Sequence, residues 1–374
     1  RTAEYVNTWL TTPGTVLYNV IYTHEFISRR VVQMNQNGER VTSADAAKEA
    51  GVSETIVSYV VNNNRYVAKD KRTRVEEAIA KLHYRPNNVA RALKGKRSNQ
   101  LLFIADQITN EYFSRIVSEM DKYAYEAGFL ISLCANRNTP EFVSQVISRQ
   151  YDGIIISSTS IPMGYVEHFS KAGIPVLLFE HRRHDKLPEN VATLASGLYP
   201  GARMGVRHLI ETGKKNIIYI DRISRRGNVS GPTDLRLSGY LDEMHENGLE
   251  AGSHTIISGC HNEEELAQAV TDKISSCRVD GIIGRNDMVA CIAMKAAINA
   301  GLMVPEEIGV VGFDNSSLSR FCSPTLTTLE MQREEISKAA IEMMTGMIGG
   351  ERPENAQFET KLIVRDSTRT ANNL

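Results

Sequence analysis

Five hydrogen-bonding side chains cluster at the start and on the exposed face of a short helix predicted over residues 54–61. They are the predicted N-cap Ser53 and the helical residues Glu54, Thr55, Ser58 and Tyr59. Residues three and four apart are neighbours on a helix, so these groups share one surface. Hydroxyl, phenol and carboxylate groups form hydrogen bonds with base edges, and hydroxyls also with phosphates. We therefore predict that this surface contacts DNA.

A second set of polar side chains directly follows predicted strands or begins a predicted helix. Its members are Glu180 after VLLF, Asn286 after GIIGR, Asp314 after VVGF and Arg236 in DLRLSGY. Ligands of parallel sheets bind beyond the carboxyl ends of the strands. Arg offers a fixed fork of donors, whereas carboxylate and amide oxygens accept hydrogen bonds. These positions predict a site for a polar small molecule; the alternative that Asp314 only caps the following turn stays open.

Two aromatic residues in the ITNEYF segment are candidates for the same site. Tyr112 and Phe113 could form an apolar wall in the cleft, because the only Trp, Trp9, lies far away in the sequence. The alternative is that Tyr112 is surface at the rim.

The elements that carry the first set form a small basic helical domain. Thr42 or Ser43 caps the first predicted helix, Gly51 ends it, and a third helix is predicted over residues 69–82. Three short helices with a tight turn between the first two are typical of a helix-turn-helix, whose second helix lies in the DNA major groove. Residues 41–98 hold 12 Lys and Arg against 6 Asp and Glu, although the whole chain carries a net charge of −1. This asymmetry favours a polyanion-binding domain joined to an acidic remainder, rather than a helical bundle that contacts protein.

Short apolar runs alternate with helical patterns in the rest of the chain. The runs are LLFIA (101–105), FLISLC (129–134), GIIIS (153–157), PVLLF (175–179), NIIYI (216–220), GIIG (281–284) and IGVVGF (308–313). Continuous apolar runs are typical of parallel strands buried on both faces, and the helices between them imply βαβ units. Because there are too many such units for one sheet, we expect two doubly wound subdomains with a cleft between them.

Several motifs, in the same order along the chain, resemble the lactose-repressor (LacI/GalR) family of bacterial regulators. They are AAKEAGVSETIVSYVVN, YRPNNVARALKGKRSN, ITNEYFSRIV, VDGIIGRND, VPEEIGVVGFDNSSLSRFCSPTLTTL and LIVRDST. The resemblance implies an all-α helix-turn-helix head at residues 41–86, a hinge helix and linker at 87–98, and an α/β periplasmic-binding-protein-like body of two doubly wound subdomains at 99–374. Residues 1–40 lie outside it and form an N-terminal extension of unknown role.

The resemblance also implies how the head and the hinge bind DNA. We call the helix predicted over residues 54–61 the reading helix. A homodimer places one reading helix on each half of a palindromic double-stranded operator. In the hinge, Asn87 caps the helix, Leu93 matches a leucine that wedges between base pairs, and Arg91 and Lys94 hold phosphates.

For the body, the resemblance implies a small effector, most simply a sugar. Arg236, Asn286 and Asp314 match positions that hold effector hydroxyls in sugar-responsive relatives, and Glu180 stands near another polar contact.

The head departs from the family pattern at three positions. Ile56 and Tyr59 replace the usual Thr and Arg on the reading helix, and Ala68 replaces the usual capping Ser of the third helix. Arg is the bidentate reader of guanine, so its loss predicts an operator different from the common one.

Other classes of protein find little support in the sequence. No apolar run reaches the about 18 residues of a transmembrane helix, no signal-peptide pattern is present, and the 5 scattered cysteines fit reduced thiols. We therefore expect a cytoplasmic location and no membrane partner.

We also expect no catalytic residue, no cofactor and no metal site, since recognisable motifs for these are missing. The segment HRRHD (181–185) is interpreted as a solvated loop. The sequence thus predicts an effector-controlled transcriptional regulator, a repressor rather than an enzyme. The alternative is a sugar- or solute-binding protein without a DNA role.

Overall fold

The computed structural model describes residues 41–63, 65–85, 97–106, 108, 111–184, 186–352 and 354–368. The chain divides between residues 87 and 88 into two compact units, which we call the head and the body. The N-terminal extension at 1–40 and the predicted hinge contacts Asn87, Arg91, Leu93 and Lys94 lie outside the described residues.

The head contains helices α1 (Ser43–Ala50), α2 (Glu54–Asn62) and α3 (Lys69–Leu82). Thr42 is the N-cap of α1, and its backbone N–H and Oγ1 exchange hydrogen bonds with Asp45 in a capping box. Gly51 ends α1 at φ 63°, in the left-handed region that glycine adopts without strain. The expected helix-turn-helix is confirmed.

A small alanine- and valine-rich core holds the three helices of the head together. Its buried members are Ala46, Ala47, Ala50, Val57, Val60, Val67, Val75 and Ala78. The apolar positions of α2 therefore face α1 and α3, which leaves its polar positions on the outside.

The body contains two six-stranded sheets, one in each subdomain. The N-terminal subdomain has the strands β1 (Gln100–Ala105), β2 (Leu130–Ala135), β3 (Gly153–Ser157), β4 (Val176–Phe179), β5 (Val191–Ala195) and β11 (Ala356–Gln357), in the order β11-β5-β4-β3-β1-β2. All of its pairings are parallel. Buried apolar residues line both faces of the central strands, as continuous hydrophobic runs predict.

The C-terminal subdomain repeats this plan. Its strands are β6 (Ile217–Ile220), β7 (Ile256–Ile257), β8 (Gly281–Gly284), β9 (Gly309–Phe313), β10 (Thr327–Met331) and β12 (Thr360–Ile363), in the order β12-β10-β9-β8-β6-β7. Only the edge strand β12 runs antiparallel to its neighbour. The predicted fold class is thereby confirmed for the body.

Helices cover both sheets of the body. They are α4 (Glu111–Glu126), α5 (Pro140–Ser148), α6 (Met163–Lys171) and α12 (Arg333–Gly349) in the N-terminal subdomain, and α7 (Leu198–Glu211), α8 (Leu235–Glu246), α9 (Glu263–Ser276), α10 (Asp287–Asn299) and α11 (Ser317–Phe321) in the C-terminal one. The chain passes between the subdomains after β5, before α12 and after β11. The carboxyl ends of the parallel strands of both sheets border the cleft between them. In the part of the chain that the structure describes, no helix is both long and apolar enough to cross a membrane.

Candidate ligand cleft and nucleic-acid interface

An arginine and a carboxylate meet at the C-terminal side of the cleft. Arg236, in the first turn of α8, places Nη2 3.5 Å from Oδ1 of Asp314, which directly follows β9. The guanidinium carbon of Arg236 lies 4.7 Å from the ring centroid of Phe313, so the aromatic face orients the arginine. Both Arg236 and Asp314 are only 7% exposed.

This buried pair does not satisfy its own hydrogen-bonding capacity. Its separation exceeds the about 2.7–2.9 Å of a good charge-assisted hydrogen bond. Among the described residues, Arg236 Nε and Asp314 Oδ1 have no hydrogen-bond partner. A buried polar group left unpaired costs about 1–3 kcal/mol, so the arrangement favours a ligand that supplies the missing donors and acceptors.

The proton affinity of Asp314 follows from its surroundings. Burial raises the pKa of Asp314 to about 7, because water no longer stabilises the carboxylate. The Arg236 guanidinium opposes this rise, whereas the nearby Asp287 carboxylate reinforces it. Asp314 therefore titrates near neutral pH, and a hydroxyl-bearing ligand would select its ionised form.

Tyr112 and Phe113 stand at the start of α4, at the opposite side of the cleft. Tyr112 is buried in the core, so the alternative that it is rim surface is wrong. Burial and the negative charge of Asp314 both raise the pKa of the Tyr112 phenol, which keeps it a neutral hydroxyl close to the Arg236–Asp314 pair. Phe113 is half-buried, with its ring centroid 5.4 Å from that of Tyr112 in an edge-to-face arrangement.

The two remaining predicted contacts, Glu180 and Asn286, lie near strand ends, and the described residues show no hydrogen bond or ion pair between their side chains and the Arg236–Asp314 pair. Glu180 follows β4 and is half-buried, and burial raises the pKa of its carboxyl group. Asn286 is the N-cap of α10, and its Oδ1 accepts a hydrogen bond of 3.0 Å from Val289 N. Its side-chain oxygen is thus committed to the helix, while its amide N–H groups remain as donors.

The neighbouring Asp287 serves the fold rather than a ligand. It is buried and accepts hydrogen bonds from Ser316 N at 2.6 Å, Ser316 Oγ at 2.8 Å and Thr328 Oγ1 at 2.5 Å. These bonds tie the start of α10 to the segment that follows Asp314 and to strand β10.

Sequence reasoning missed a buried ionic network beside this group. Arg285 Nη1 lies 2.8 Å from Asp234 Oδ2 and 3.7 Å from Asp221 Oδ1. Arg222 Nη2 lies 3.4 Å from the same Asp234 oxygen. Ser230 N and Oγ each donate a hydrogen bond to one of the two carboxylate oxygens of Asp221. Asp221 and Arg285 directly follow β6 and β8, so the strand-end rule that found Asp314 could have found them too.

His181 corrects the expectation of a solvated loop after β4. It is 6% exposed, and its Nε2 lies 2.8 Å from Ser157 Oγ at the end of β3. Burial lowers the pKa of His181 to about 3, so the imidazole is neutral at physiological pH. Nδ1 has no hydrogen-bond partner among the described residues. The backbone of the same segment pairs with the C-terminal subdomain, since Leu235 N donates to His181 O and Arg183 N donates to Thr233 O.

The N-terminal subdomain contributes its own carboxylate, Asp106, directly after β1. It accepts hydrogen bonds from Ser158 Oγ at 2.5 Å, Ser160 Oγ at 2.7 Å and Thr159 N at 2.8 Å. These bonds outweigh burial and lower the pKa of Asp106, so the group stays ionised. Asp106 thus organises the loop that follows β3.

Side chains bridge the two subdomains on both sides of the cleft. Arg222 Nη1 donates to Thr159 Oγ1, and Arg226 Nη1 donates to Asn136 O at 3.0 Å. Arg115 Nη2 donates to Ser317 Oγ at 2.8 Å, and Ser317 N donates to Glu111 at 3.0 Å. The cleft is closed by these bonds. The described residues contain no group of three or more His, Cys, Asp or Glu arranged to hold a metal ion.

In the head, the predicted reading surface forms one face of α2. Ser53, Glu54 and Thr55 are exposed, and Ser58 and Tyr59 are half-buried. Ser53 occupies the N-cap position, but its side chain makes no capping hydrogen bond, contrary to expectation. Its hydroxyl instead stays at the surface.

Three of these side chains have partners within the head. Glu54 Oε2 accepts from Ser43 Oγ at 2.7 Å, and Asn62 Nδ2 donates to Ser58 Oγ at 3.1 Å. Tyr59 Oη accepts from Arg65 Nη1 at 3.3 Å. The surface is therefore partly preorganised, with hydroxyl groups left over for DNA.

Comparison with known proteins matches both units. The family model described as "Bacterial regulatory proteins, lacI family" matches residues 42–87, and that of a "Periplasmic binding protein-like domain" matches residues 206–368. The HTH-type transcriptional repressor PurR of Actinobacillus pleuropneumoniae serotype 3 (strain JL03) is 29% identical over 341 residues, which cover 88% of this chain and 99% of that protein.

Solved structures agree with these matches. The lac repressor dimer bound to operator and the anti-inducer ONPF is 25% identical with a TM-score of 0.74, and covers 88% of this chain and 99% of its own. A periplasmic binding protein/LacI transcriptional regulator from Alkaliphilus metalliredigens QYMF, complexed with D-xylulofuranose, is 27% identical with a TM-score of 0.60, over 73% of this chain and 100% of its own. The helix-turn-helix head, the doubly wound body and these likenesses together confirm the resemblance seen in the sequence: the chain joins a helix-turn-helix head of the LacI family of bacterial regulatory proteins to a periplasmic-binding-protein-like body.

Proposed function

We propose that this chain is a homodimeric transcriptional repressor whose affinity for a palindromic operator is set by a neutral, polyhydroxylated effector bound in the cleft of the body. One observation carries the effector class. The buried Arg236–Asp314 pair has unpaired hydrogen-bonding atoms next to the neutral Tyr112 phenol. Vicinal hydroxyls match this set, because each hydroxyl both donates to a carboxylate and accepts from a guanidinium.

The charge balance of the cleft favours a neutral effector over an anionic one. Arg285 and Arg222 are already paired with the carboxylates of Asp221 and Asp234. Arg236 is paired with Asp314. A phosphate group would therefore have to displace an internal carboxylate, and a neutral sugar would not.

The relatives support a regulator controlled by a small molecule. One solved neighbour is bound to operator and an anti-inducer, and another is complexed with D-xylulofuranose. A DNA target is consistent with a cytoplasmic location, and relatives named as repressors favour a regulator over an enzyme. A solute-binding protein without a DNA role is the alternative, and DNA selection separates the two.

Selection on random DNA with the full chain tests the DNA-binding role. We expect enrichment of a palindrome and a binding constant that falls steeply as salt rises, because several phosphate contacts release counterions. A chain that enriches no palindrome, or binds without salt dependence, would contradict the proposal and leave the solute-binding alternative.

A thermal-shift screen with neutral sugars, sugar phosphates, nucleosides and purines tests the effector class. A ligand at 100 times its Kd should stabilise the body by about 2.7 kcal/mol. We expect a neutral sugar to raise the melting temperature of the wild type. The same sugar should not raise the melting temperature of Asp314→Asn. The control Asp272→Asn, on the exposed side of α9, should keep the wild-type response. A shift confined to sugar phosphates, or to nucleosides and purines, would refute the neutral-sugar proposal.

A further inference from the structure

We propose that Arg65 reads a guanine in each operator half-site, and that Tyr59 is the positioning residue that holds it there. This inference rests on the DNA-binding function proposed above. Arg65 lies outside α2, in the connection to α3, so it is not part of the predicted reading helix. Its guanidinium nevertheless contacts the side chain of Tyr59, which is one of the residues of the reading surface on α2.

The contact between the two side chains is specific. The guanidinium carbon of Arg65 lies 5.2 Å from the ring centroid of Tyr59, and Arg65 Nη1 donates to Tyr59 Oη at 3.3 Å. Tyr59 itself is half-buried, with its ring packed against the core of the head. An aromatic platform fixed by the core thus restricts the rotamers of an otherwise exposed arginine, and it lowers the entropy that Arg65 loses on binding DNA.

Arg65 also differs from other cations of the head in its partner. Arg72 hydrogen-bonds Asn63 and lies 3.9 Å from Glu76, Arg74 lies 3.9 Å from Asp70, and Lys81 lies 2.6 Å from Glu49. The partner of Arg65 is a neutral phenol ring, so no carboxylate offsets its charge in this contact. Nε and Nη2 remain as donors beyond the bond to Tyr59.

The location of this guanidinium points to a base edge. Tyr59 lies one helical turn from Thr55 and beside Ser58, the polar residues of the α2 face. A phenol offers a single hydrogen bond, whereas a guanidinium forms the bidentate pair with O6 and N7 that distinguishes guanine. The family usually has an arginine at the position of Tyr59. In this chain Arg65, which lies outside the reading helix, supplies the guanidinium that would read the guanine.

The test is selection on random DNA with the full-length wild type and the variants Arg65→Lys, Arg65→Ala, Tyr59→Phe and Tyr59→Leu. We expect one guanine position per half-site in the wild type. Arg65→Lys keeps the charge but loses the fork, so the preference at that position should fall about tenfold or more while the salt dependence stays unchanged. Tyr59→Leu should weaken the same preference, and Tyr59→Phe, which keeps the ring, should largely retain it.

Two further results separate base reading from other roles. Lys81→Ala removes a charge in the last turn of α3, where Lys81 pairs with Glu49, and should leave every base preference unchanged. If Arg65→Ala weakens binding equally to all sequences and Arg65→Lys restores it, Arg65 is a phosphate contact and the inference fails. If the wild type selects no palindrome at all, the proposed function fails first. Circular dichroism of each variant shows whether the head is folded.

Discussion

At the scale of single residues, the cleft contains titratable groups whose pKa values are shifted by burial. Asp314 is held at the end of β9 with a pKa of about 7, and His181 is held neutral with a pKa of about 3. Among the described residues, the buried atoms Asp314 Oδ1 and His181 Nδ1 have no hydrogen-bond partner. Such atoms are costly in the absence of a ligand, which is why they are found at binding sites more often than in cores.

The altered pKa of Asp314 predicts how stability depends on pH. The folded protein holds this proton up to about pH 7, whereas the unfolded chain loses it near the ordinary value of 3.8. The stabilisation is thus complete below pH 3.8 and is lost as the pH rises towards 7, by at most about 1.4 kcal/mol per pH unit. Asp314→Asn removes this dependence, so the variant should gain stability relative to the wild type between pH 5 and pH 7.

Urea unfolding of both proteins across that pH range measures the difference. Asp287, whose pKa burial raises to about 6, titrates in both proteins, so its contribution cancels to first order. Parallel stability curves for the wild type and Asp314→Asn would show that the Asp314 carboxyl is already ionised at pH 5.

The sequence predicted part of this residue set for a clear reason. Asp314 directly follows a recognisable apolar strand, and Arg236 lies in the first turn of a helix, so local patterns located both. His181 was missed because it stands in a polar, basic segment, and its burial depends on Leu235 of the other subdomain. A local pattern carries no information about a contact made 54 residues later in the chain.

At the scale of elements, strands made of continuous apolar runs were predictable. Strands interrupted by threonine or charged residues (β5, β10 and β12) and two-residue strands were not. All seven apolar runs became strands of the two sheets. Strands β7 and β11 have only two residues each, which is too short for any period to be recognised. The return of the chain to the first sheet at β11, after it has built five of the six strands of the second, is a tertiary event that local sequence cannot specify.

The start of α3 offers a prediction about an element. Ala68 occupies its N-cap with φ −53° and ψ 140°, and it provides no side chain to accept from the first N–H groups of the helix. Ala68→Ser supplies that acceptor in an extended conformation that serine adopts readily. We expect the head to gain about 1 kcal/mol of stability against urea unfolding.

Ala68→Val provides the control, because valine adds side-chain atoms but, like alanine, offers no hydrogen-bond acceptor at the N-cap. If serine and valine change the stability of the head equally, the effect comes from the added side-chain atoms and not from the cap.

At the scale of the whole body, two subdomains are joined by three chain crossings and by side-chain bonds across the cleft. Proteins of this construction close around ligands by hinge motion between subdomains. The hydrogen bonds across the cleft therefore stabilise the closed form relative to the open form, and each contributes about 1 kcal/mol. The loop between β6 and α8 matters most, because Asp221 and Ser230 brace it internally while Arg222 and Arg226 reach the other subdomain.

This arrangement predicts that Arg226→Ala shifts the body towards an open cleft. The variant loses the 3.0 Å bond to Asn136 O but keeps the ionic network of Arg222, Arg285 and Asp234 intact. The loss of about 1 kcal/mol corresponds to about a fivefold larger open population, so amides in the loop after β2 should exchange hydrogen about five times faster. Arg225→Ala, which removes an exposed arginine from the same loop, is the matched control and should leave these rates unchanged. Equal exchange rates in the two variants would mean that the Arg226 bond does not hold the cleft closed. The other links would then do so, namely the Arg222–Thr159 and Arg115–Ser317 bonds and the backbone pairing of residues 181–183 with 233–235.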